Sequence, residues 1–323
     1  MIVRSNLKNL PESIDIPESR YIFLHGPNGC GKSAVVHSIE CALTGLVADA
    51  AGRDIKSKAY IHTLANGPEA HVEVFHEGVA YNGRKPRYHN VVADAMAAIS
   101  GTGTALIQYM LEYGARFDDV PSGVSLDYPS WDKWVAAEGS ERRALLRIQR
   151  AAGNALRKAR AEVKDAQTVL KYGELDGIRD LLASALVAEG EAKALKQACD
   201  EAALAWLKEV TQVAPHGVLQ FYFGKGSEVR LGLKGKGPVP SGAEMVECAI
   251  HLAALTRKPE ESVYVLPDKA YDPKRLAHLL RLLRLIPAIV VIAQSPILPD
   301  DYDLEKFWVK VDVDIHITTG DNR

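Results

Sequence analysis

Residues 26–33, with the sequence GPNGCGKS, constrain the fold of this chain more than any other segment. They match the pattern G-x-x-x-x-G-K-[ST] in full. A short apolar run at 21–24 precedes them, and a stretch with helical spacing of apolar residues follows. Strand, glycine loop and helix are the context that a phosphate-binding loop requires. We therefore expect a strand at 21–24 and a helix that begins at Lys32 and stops at Gly45.

Each residue type in this loop suits a triphosphate. Glycines let successive backbone N–H groups point inward as an anion nest, and the helix N-terminus adds its positive end. Lys32 is expected to reach the β- and γ-phosphates, and the Ser33 hydroxyl to hold Mg²⁺. A chance glycine loop, the alternative, is disfavoured by the flanking strand and helix. The predicted site for ATP and Mg²⁺ consists of Gly26, Pro27, Asn28, Gly29, Cys30, Gly31, Lys32 and Ser33.

Composition narrows the class of protein further. The 323 residues carry a formal net charge of -2, so no global basic field attracts nucleic acid, and any DNA contact requires a local patch. The four cysteines lie far apart without a CxxC pair, which disfavours a zinc site or a disulfide framework. We find no apolar run long enough for a signal peptide or a membrane span, and we expect a cytoplasmic protein with no membrane partner.

A long segment between 140 and about 210 has strongly helical composition and lacks proline. Two glycines in KYGELDG at 171–177 interrupt it, which predicts two antiparallel helices of roughly 30 residues and 45 Å each. Two alternatives remain open: the helices pack on the globular body, or Gly153 and Gly190 break them. We expect an N-terminal lobe at 1–138, a helical arm at 139–212 and a C-terminal lobe at 213–323.

The surroundings of the glycine loop carry a family resemblance. FLHGPNGCGKSAVVHSIECALTG at 23–45 resembles the N-terminal motif of the SMC, RecF and SbcC group of ABC-type ATPases. NLKNLPESIDIP before it and IHTLANGPEAHVEVFHEG after it are similar to the strands that flank this motif, and SERR at 140–143 is similar to the segment that opens the family's arm. The resemblance implies an α/β P-loop NTPase fold: an ABC-ATPase-like head with a mixed sheet and a short inserted α-helical hairpin arm.

The second half of the chain supplies a candidate signature. PSGAE at 240–244 resembles the LSGGE signature, through which one subunit contacts the γ-phosphate held by another. The resemblance implies that Ser241 and Gly242 bind nucleotide in this way. The same residues also fit a capping box, in which Ser241 and Glu244 cap a helix, and both interpretations can hold together.

Three further residues are catalytic candidates by resemblance. Asp268 follows an apolar run at 263–266 in the Walker B position and would hold Mg²⁺. Its neighbours Pro267 and Lys269 replace the usual second acid, and the alternative is a surface turn. Gln294 occupies the position of the switch histidine, and Gln108 is the candidate Q-loop residue, although a solvated helix position fits Gln108 equally well.

The resemblance implies a homodimer through ATP-sandwiched heads, coupled to non-sequence-specific DNA or to a nuclease or other partner protein. The alternative is a nucleotide-gated structural or regulatory subunit with little hydrolysis, in a phage or defence complex. A P-loop kinase is a weaker third possibility. The first arm helix is basic and could contact DNA phosphates, or its cations could be paired on a solvated face. These cations are Arg142, Arg143, Arg147, Arg150, Arg157, Lys158, Arg160 and Lys164.

Overall fold

The computed structural model describes most of the chain. The described residues are 1–7, 10–11, 13–27, 29–48, 54–55, 58–172, 177–214, 216–226, 228–256, 262–266, 271–286, 288–293, 303 and 308–313. The chain divides into two compact units. Unit 1 comprises Met1–Gly101, Val218–Gln220 and Leu231–Arg323, and unit 2 comprises Thr102–Gly217 and Phe221–Arg230.

Strands and helices alternate through most of the sequence. The strands are β1 (Ile2–Ser5), β2 (Ile14–Asp15), β3 (Tyr21–His25), β4 (Val47–Ala48), β5 (Asp54–Ile55), β6 (Val72–His76), β7 (Val79–Tyr81), β8 (His89–Asn90), β9 (Leu219–Phe223), β10 (Val229–Leu233), β11 (Ser262–Val265), β12 (Ile289–Ala293) and β13 (Val309–Asp312). The helices are α1 (Lys32–Thr44), α2 (Lys58–Thr63), α3 (Val91–Ser100), α4 (Gly103–Tyr113), α5 (Trp131–Glu138), α6 (Glu141–Tyr172), α7 (Ile178–Val213), α8 (Gly242–Thr256) and α9 (Pro273–Leu283).

Unit 1 is built on a five-stranded parallel sheet with the order β13-β3-β12-β11-β8. Its central strands have the sequences YIFLH, SVYV and IVVIA, and β11 and β12 are buried at every position. Continuous apolar runs are typical of parallel strands that are covered on both faces. The sheet brings the carboxyl ends of β3, β12 and β11 to one edge, and this edge is where the glycine loop begins.

A second sheet in unit 1 is antiparallel, with the order β2-β1-β6-β7. The predicted mixed sheet is therefore two sheets, one parallel and one antiparallel. Helix α1 separates them because it contacts β1 and β6 on the one hand and β11 and β12 on the other. This position explains why 11 of the 13 residues of α1 are buried, including the polar Ser38, Glu40 and Thr44.

Unit 2 is mainly helical. Helices α6 and α7 pack along each other, with Gln149 bonded to Asp200 and Arg160 to Glu189. Arg160 lies eleven residues after Gln149 on α6, whereas its partner Glu189 lies eleven residues before Asp200 on α7. The two helices are therefore antiparallel. Both helices predicted between 140 and 210 are thus present, and neither breaks at Gly153 or Gly190.

The helical unit contains more than the two long helices. It starts at Thr102 and includes α4 and α5 as well. At its centre Phe117 meets Trp206 edge-on, with ring centroids 6.4 Å apart. None of the helices in the described part of the chain combines the length and apolarity needed to cross a membrane.

Candidate nucleotide-binding site

The glycine loop lies between the end of β3 and the start of α1, as the sequence predicts. Beside it runs β13, which pairs in parallel with β3 up to His25. The amide of Val313 then donates to the carbonyl oxygen of His25, the last residue of β3, over 2.8 Å. The loop therefore leaves the sheet at the carboxyl edge, where ligands of parallel α/β folds bind.

Three glycines of the loop have left-handed backbone angles. Gly26, Gly29 and Gly31 have φ values of 146°, 82° and 98°, and only glycine adopts such values at little cost. A Cβ on Gly26 would overlap the carbonyl oxygen of Val313 and would lie 2.7 Å from the Cys30 sulfur. Around Gly29, by contrast, none of the described residues has an atom within 4 Å of the corresponding position. Asn28 lies outside the described residues.

Lys32 folds back over the loop instead of extending into solvent. Its side chain is buried, with 7% of the residue surface exposed, and its ammonium donates to the carbonyl oxygens of Gly26 and Pro27, at 2.8 Å each. The Cys30 sulfur lies 3.9 Å from the same nitrogen. These bonds hold a positive charge against the backbone of the loop.

The helix end adds to this charge. Gly31 is the N-cap of α1, and the first turn of α1 contains no acidic residue. A helix N-terminus carries about half a positive elementary charge, which nearby carboxylates often neutralise. Here the ammonium of Lys32 stands at the same end. The arrangement is electrostatically suited to an anion with several negative oxygens, such as a triphosphate.

Mg²⁺ fits this site in its donor chemistry. The Ser33 hydroxyl is partly buried on the second residue of α1, and Mg²⁺ commonly binds through one or two protein oxygens together with phosphates and water. The second predicted ligand, Asp268, lies outside the described residues, as do Pro267 and Lys269. Among the residues that are described, no cluster of three or more His, Cys, Asp or Glu side chains could hold a metal.

The strand before Asp268 occupies a defined place in the sheet. One strand, β12, separates β11 from β3, and all three run in the same direction. Neighbouring strands are about 4.8 Å apart, so the ends of β3 and β11 are separated by about 10 Å. Gln294 directly follows β12, but it also lies outside the described residues.

Asp272, four residues after Asp268, has a structural role. It is the N-cap of α9, and its carboxylate accepts a hydrogen bond of 2.9 Å from the amide of Arg275. This position is the helix start that the Asp-Pro sequence favours.

Ser241 and Gly242 stand at the start of α8, and both are exposed. The amide of Glu244 donates to the carbonyl oxygen of Ser241 over 3.0 Å, and the Glu244 carboxylate lies 3.9 Å from the ammonium of Lys236. Within the part of the chain that is described, the Ser241 hydroxyl makes no hydrogen bond, so the capping box is not formed there. The hydroxyl is oriented for solvent or for a ligand from outside the chain.

Gln108 belongs to the other unit. It lies on α4 and lines a cavity of about 420 Å³ together with Gln149, Arg150, Lys196 and Asp200. Its predicted role beside Mg²⁺ remains a prediction, because the loop and Gln108 are in different units.

The cations of α6 are mostly neutralised. Six of the eight form ion pairs with carboxylates: Arg142 and Arg143 with Asp118, Arg147 with Glu138, Arg150 with Glu112, Lys158 with Glu162, and Arg160 with Glu189. Only Glu189 is on α7, so the neighbours of α6 on the N-terminal side do most of the pairing. Arg157 bonds to Asn154. This arrangement favours the paired, solvated face over a strongly basic DNA surface.

Sequence reasoning treated Arg142 as one of these surface cations, whereas the structure buries it. It donates to both carboxylate oxygens of Asp118, at 2.6 and 3.0 Å, and to the carbonyl oxygens of Leu111 and Glu112. Ser140 also bonds to Asp118. The apolar residues Leu145 and Ile148 on the same helix face could have indicated that Arg142 is buried.

Comparison with known proteins adds little to this site. No protein-family model matches the chain, and no curated protein matches its sequence. A solved structure that aligns with it is that of the recombination mediator protein RecF with ATP, in the RecFOR pathway. The identity is 11%, the TM-score is 0.43, and the alignment covers 94% of this chain and 92% of that chain. Likeness at this level assigns the chain neither to a family nor to a function.

Proposed function

We propose that this chain binds Mg·ATP through residues 26–33. One observation carries the proposal: the buried ammonium of Lys32 and the acid-free N-terminus of α1 meet at a glycine loop on the carboxyl edge of a parallel sheet. Lys32 would bind the β- and γ-phosphates, and successive loop amides would surround the remaining phosphate oxygens. Mg²⁺, when bound, would neutralise charge between the phosphates, with Ser33 as a protein ligand.

The position of β11 supports a carboxylate near the phosphates. Asp268 follows β11 closely in sequence, and the end of β11 lies on the same sheet edge as the loop, two strands away. A separation of about 10 Å suits a residue that reaches Mg²⁺ or a water beyond the γ-phosphate. We therefore retain Asp268 as metal ligand and Gln294 as γ-phosphate donor, both as proposals.

We further propose that ATP drives dimerisation of two such chains, as in RecF/SbcC-type ATPases. Ser241 and Gly242 of one copy would bind the γ-phosphate held by the other, since the Ser241 hydroxyl is exposed and has no partner among the described residues. A ligand shifts an association equilibrium only by its differential affinity for the two states, and a triphosphate shared by two chains provides this difference.

Sedimentation velocity with and without Mg·ATP tests this dimerisation. We expect Mg·ATP to raise the fraction of dimer, an increase that Ser241→Arg abolishes and that Val239→Ala, an exposed change in the same loop, leaves intact. A dimer that forms equally with Ser241→Arg would contradict the shared site. In the proposed function, DNA or a nuclease-like partner protein would respond to the ATP-closed dimer.

A second candidate is a nucleotide-gated subunit with little hydrolysis. Pro267, Lys269 and Gln294 favour it, because a second acid and a titratable switch residue are missing at these positions. Steady-state phosphate release separates the two candidates. Phosphate release well above that of Asp268→Ala supports the ATPase. Equal trace amounts of phosphate from both proteins, with ATP still bound, support the nucleotide-gated subunit.

A further inference from the structure

The first half of α7 has more apolar surface than α6 covers. Residues 178–195, IRDLLASALVAEGEAKAL, carry apolar residues on two opposite sides of the helix. One stripe, which includes Ala185, Ala192 and Cys199, is buried. On the other side Val187 is 62% exposed, and the neighbouring Leu186 is 49% exposed. A surface helix normally has one apolar stripe, which faces the core, so a second and exposed stripe indicates a missing neighbour.

The uncovered face has the spacing of a helix-packing seam. It consists of Ala183, Val187, Gly190 and Ala194. These residues are separated by four, three and four positions, and all four are exposed. Glycine is unfavourable in a helix interior, and no atom of the described residues lies within 4 Å of where a Cβ of Gly190 would be. The described residues therefore give no packing reason for glycine at this place, whereas a second helix approaching closely would.

Charges on the two flanks of this seam indicate what the second helix is. At 100° per residue, one flank of the seam carries Arg179, Leu186 and Lys193. The other flank begins at Asp180 and carries Ser184 and Glu191. One flank is thus basic and the other acidic. Two copies of α7 related by a two-fold axis along the helix would place the basic flank of each against the acidic flank of the other.

The opposite orientation is unfavourable. In an antiparallel pair each flank would meet the same flank of the second copy, so that Lys193 would approach Arg179 and Glu191 would approach Asp180. We infer that the face formed by Ala183, Val187, Gly190 and Ala194 is a docking surface for α7 of a second copy of this chain, packed in parallel. This contact does not rest on nucleotide binding, and it involves a surface separate from residues 26–33 and 241–242.

Cysteine crosslinking without nucleotide tests both the contact and its direction. In a parallel pair every residue of the seam faces its own counterpart, so Ala183→Cys and Ala194→Cys should each form covalent dimers under mild oxidation. The control is Ala161→Cys, which is exposed on α6 at a similar level along the hairpin. We expect dimers to form on the order of tenfold faster at the seam than at the control, because pairing raises the effective concentration of the thiols.

The four native cysteines are buried, and burial raises the pKa of Cys199 to about 11, so the unsubstituted chain serves as the blank. Adding Glu191→Lys to Ala183→Cys should slow crosslinking, and the double exchange Glu191→Lys with Lys193→Glu should restore it. Crosslinking no faster than at Ala161→Cys would overturn the docking surface. Dimers that form only when Ala183→Cys and Ala194→Cys proteins are mixed would overturn the parallel direction.

Discussion

The Nζ atom of Lys32 lies 2.8 Å from the carbonyl oxygen of Gly26, the residue that opens the loop which Lys32 closes. The bond joins the two ends of the loop and positions the ammonium against its backbone rather than in solvent. A cation held in this way at a helix N-terminus is a costly arrangement in isolation and a favourable one beside a triphosphate. The stability and the ligand preference of the loop therefore depend on the same residues.

Replacing loop glycines by alanine should separate the cost of a steric overlap from the cost of a left-handed φ angle. Gly26→Ala introduces a Cβ that overlaps the Val313 carbonyl oxygen at a φ of 146°, and we expect unfolding to become easier by about 3 kcal/mol. Gly29→Ala is the matched control, because no atom lies within 4 Å of its Cβ position, and its left-handed φ should cost about 1 kcal/mol. Denaturant unfolding of the nucleotide-free proteins measures both. Equal costs would show that β13 does not pack against the loop.

Two neighbouring arginines on one carboxylate should differ greatly in their contribution to stability. Arg142→Ala removes a guanidinium whose side chain is 5% exposed, together with its bonds to Asp118 and to two carbonyl oxygens, which should cost about 3–5 kcal/mol. Arg143→Ala removes a partner of the same Asp118 that is 54% exposed, and it should cost less than about 1 kcal/mol. Urea unfolding followed by Trp fluorescence compares the two variants. Similar losses would mean that Arg142 is solvated.

The same cluster predicts an acid-dependent loss of stability. Burial acts to raise the pKa of Asp118, but the hydrogen bonds and charge of Arg142, with Ser140 and Arg143, outweigh it and hold the pKa below its ordinary value of 3.8. A carboxyl group with a lowered folded-state pKa stabilises the fold above its unfolded pKa, and this stabilisation disappears as the pH falls through the folded value.

We therefore expect the contribution of Asp118 to the free energy of unfolding to be independent of pH near neutrality and to decrease once the pH drops below 3.8. Asp118→Asn should be less stable at neutral pH and should show a shallower acid dependence. Unfolding curves collected across this range test the assignment. A variant with the same acid slope as the unsubstituted chain would show that other carboxyl groups dominate.

Local patterns predicted the glycine loop and the elements that flank it, because the loop is encoded in consecutive residues. Strand β3, the glycine loop and helix α1 follow from spacing and glycine positions alone. The place of β13 beside β3 did not follow from the sequence, because parallel pairing joins residues that are distant along the chain. In the described part of the C-terminal segment, β13 lies on the edge of the sheet and pairs in parallel with β3.

Charged residues were harder to interpret for a related reason. Arg142 and Arg143 are adjacent and chemically identical, yet one is buried and the other is half exposed, because α4 and the turn at Asp118 fold over only one of them. Likewise, the carbonyl of Ser241, not its hydroxyl, accepts the bond from Glu244. A sequence shows which bonds a side chain can make, but tertiary packing determines which ones form.

Isothermal titration of ATP with Mg²⁺ tests the central proposal most directly. The experiment compares the unsubstituted chain, Lys32→Ala, and Lys164→Ala as a control that removes an exposed lysine from α6. We expect saturable binding to the unsubstituted chain and to Lys164→Ala, and at least about 100-fold weaker binding to Lys32→Ala, which corresponds to about 2.7 kcal/mol. Equal ATP affinity of all three proteins, or no binding to the unsubstituted chain at millimolar ATP, would contradict a triphosphate site at residues 26–33.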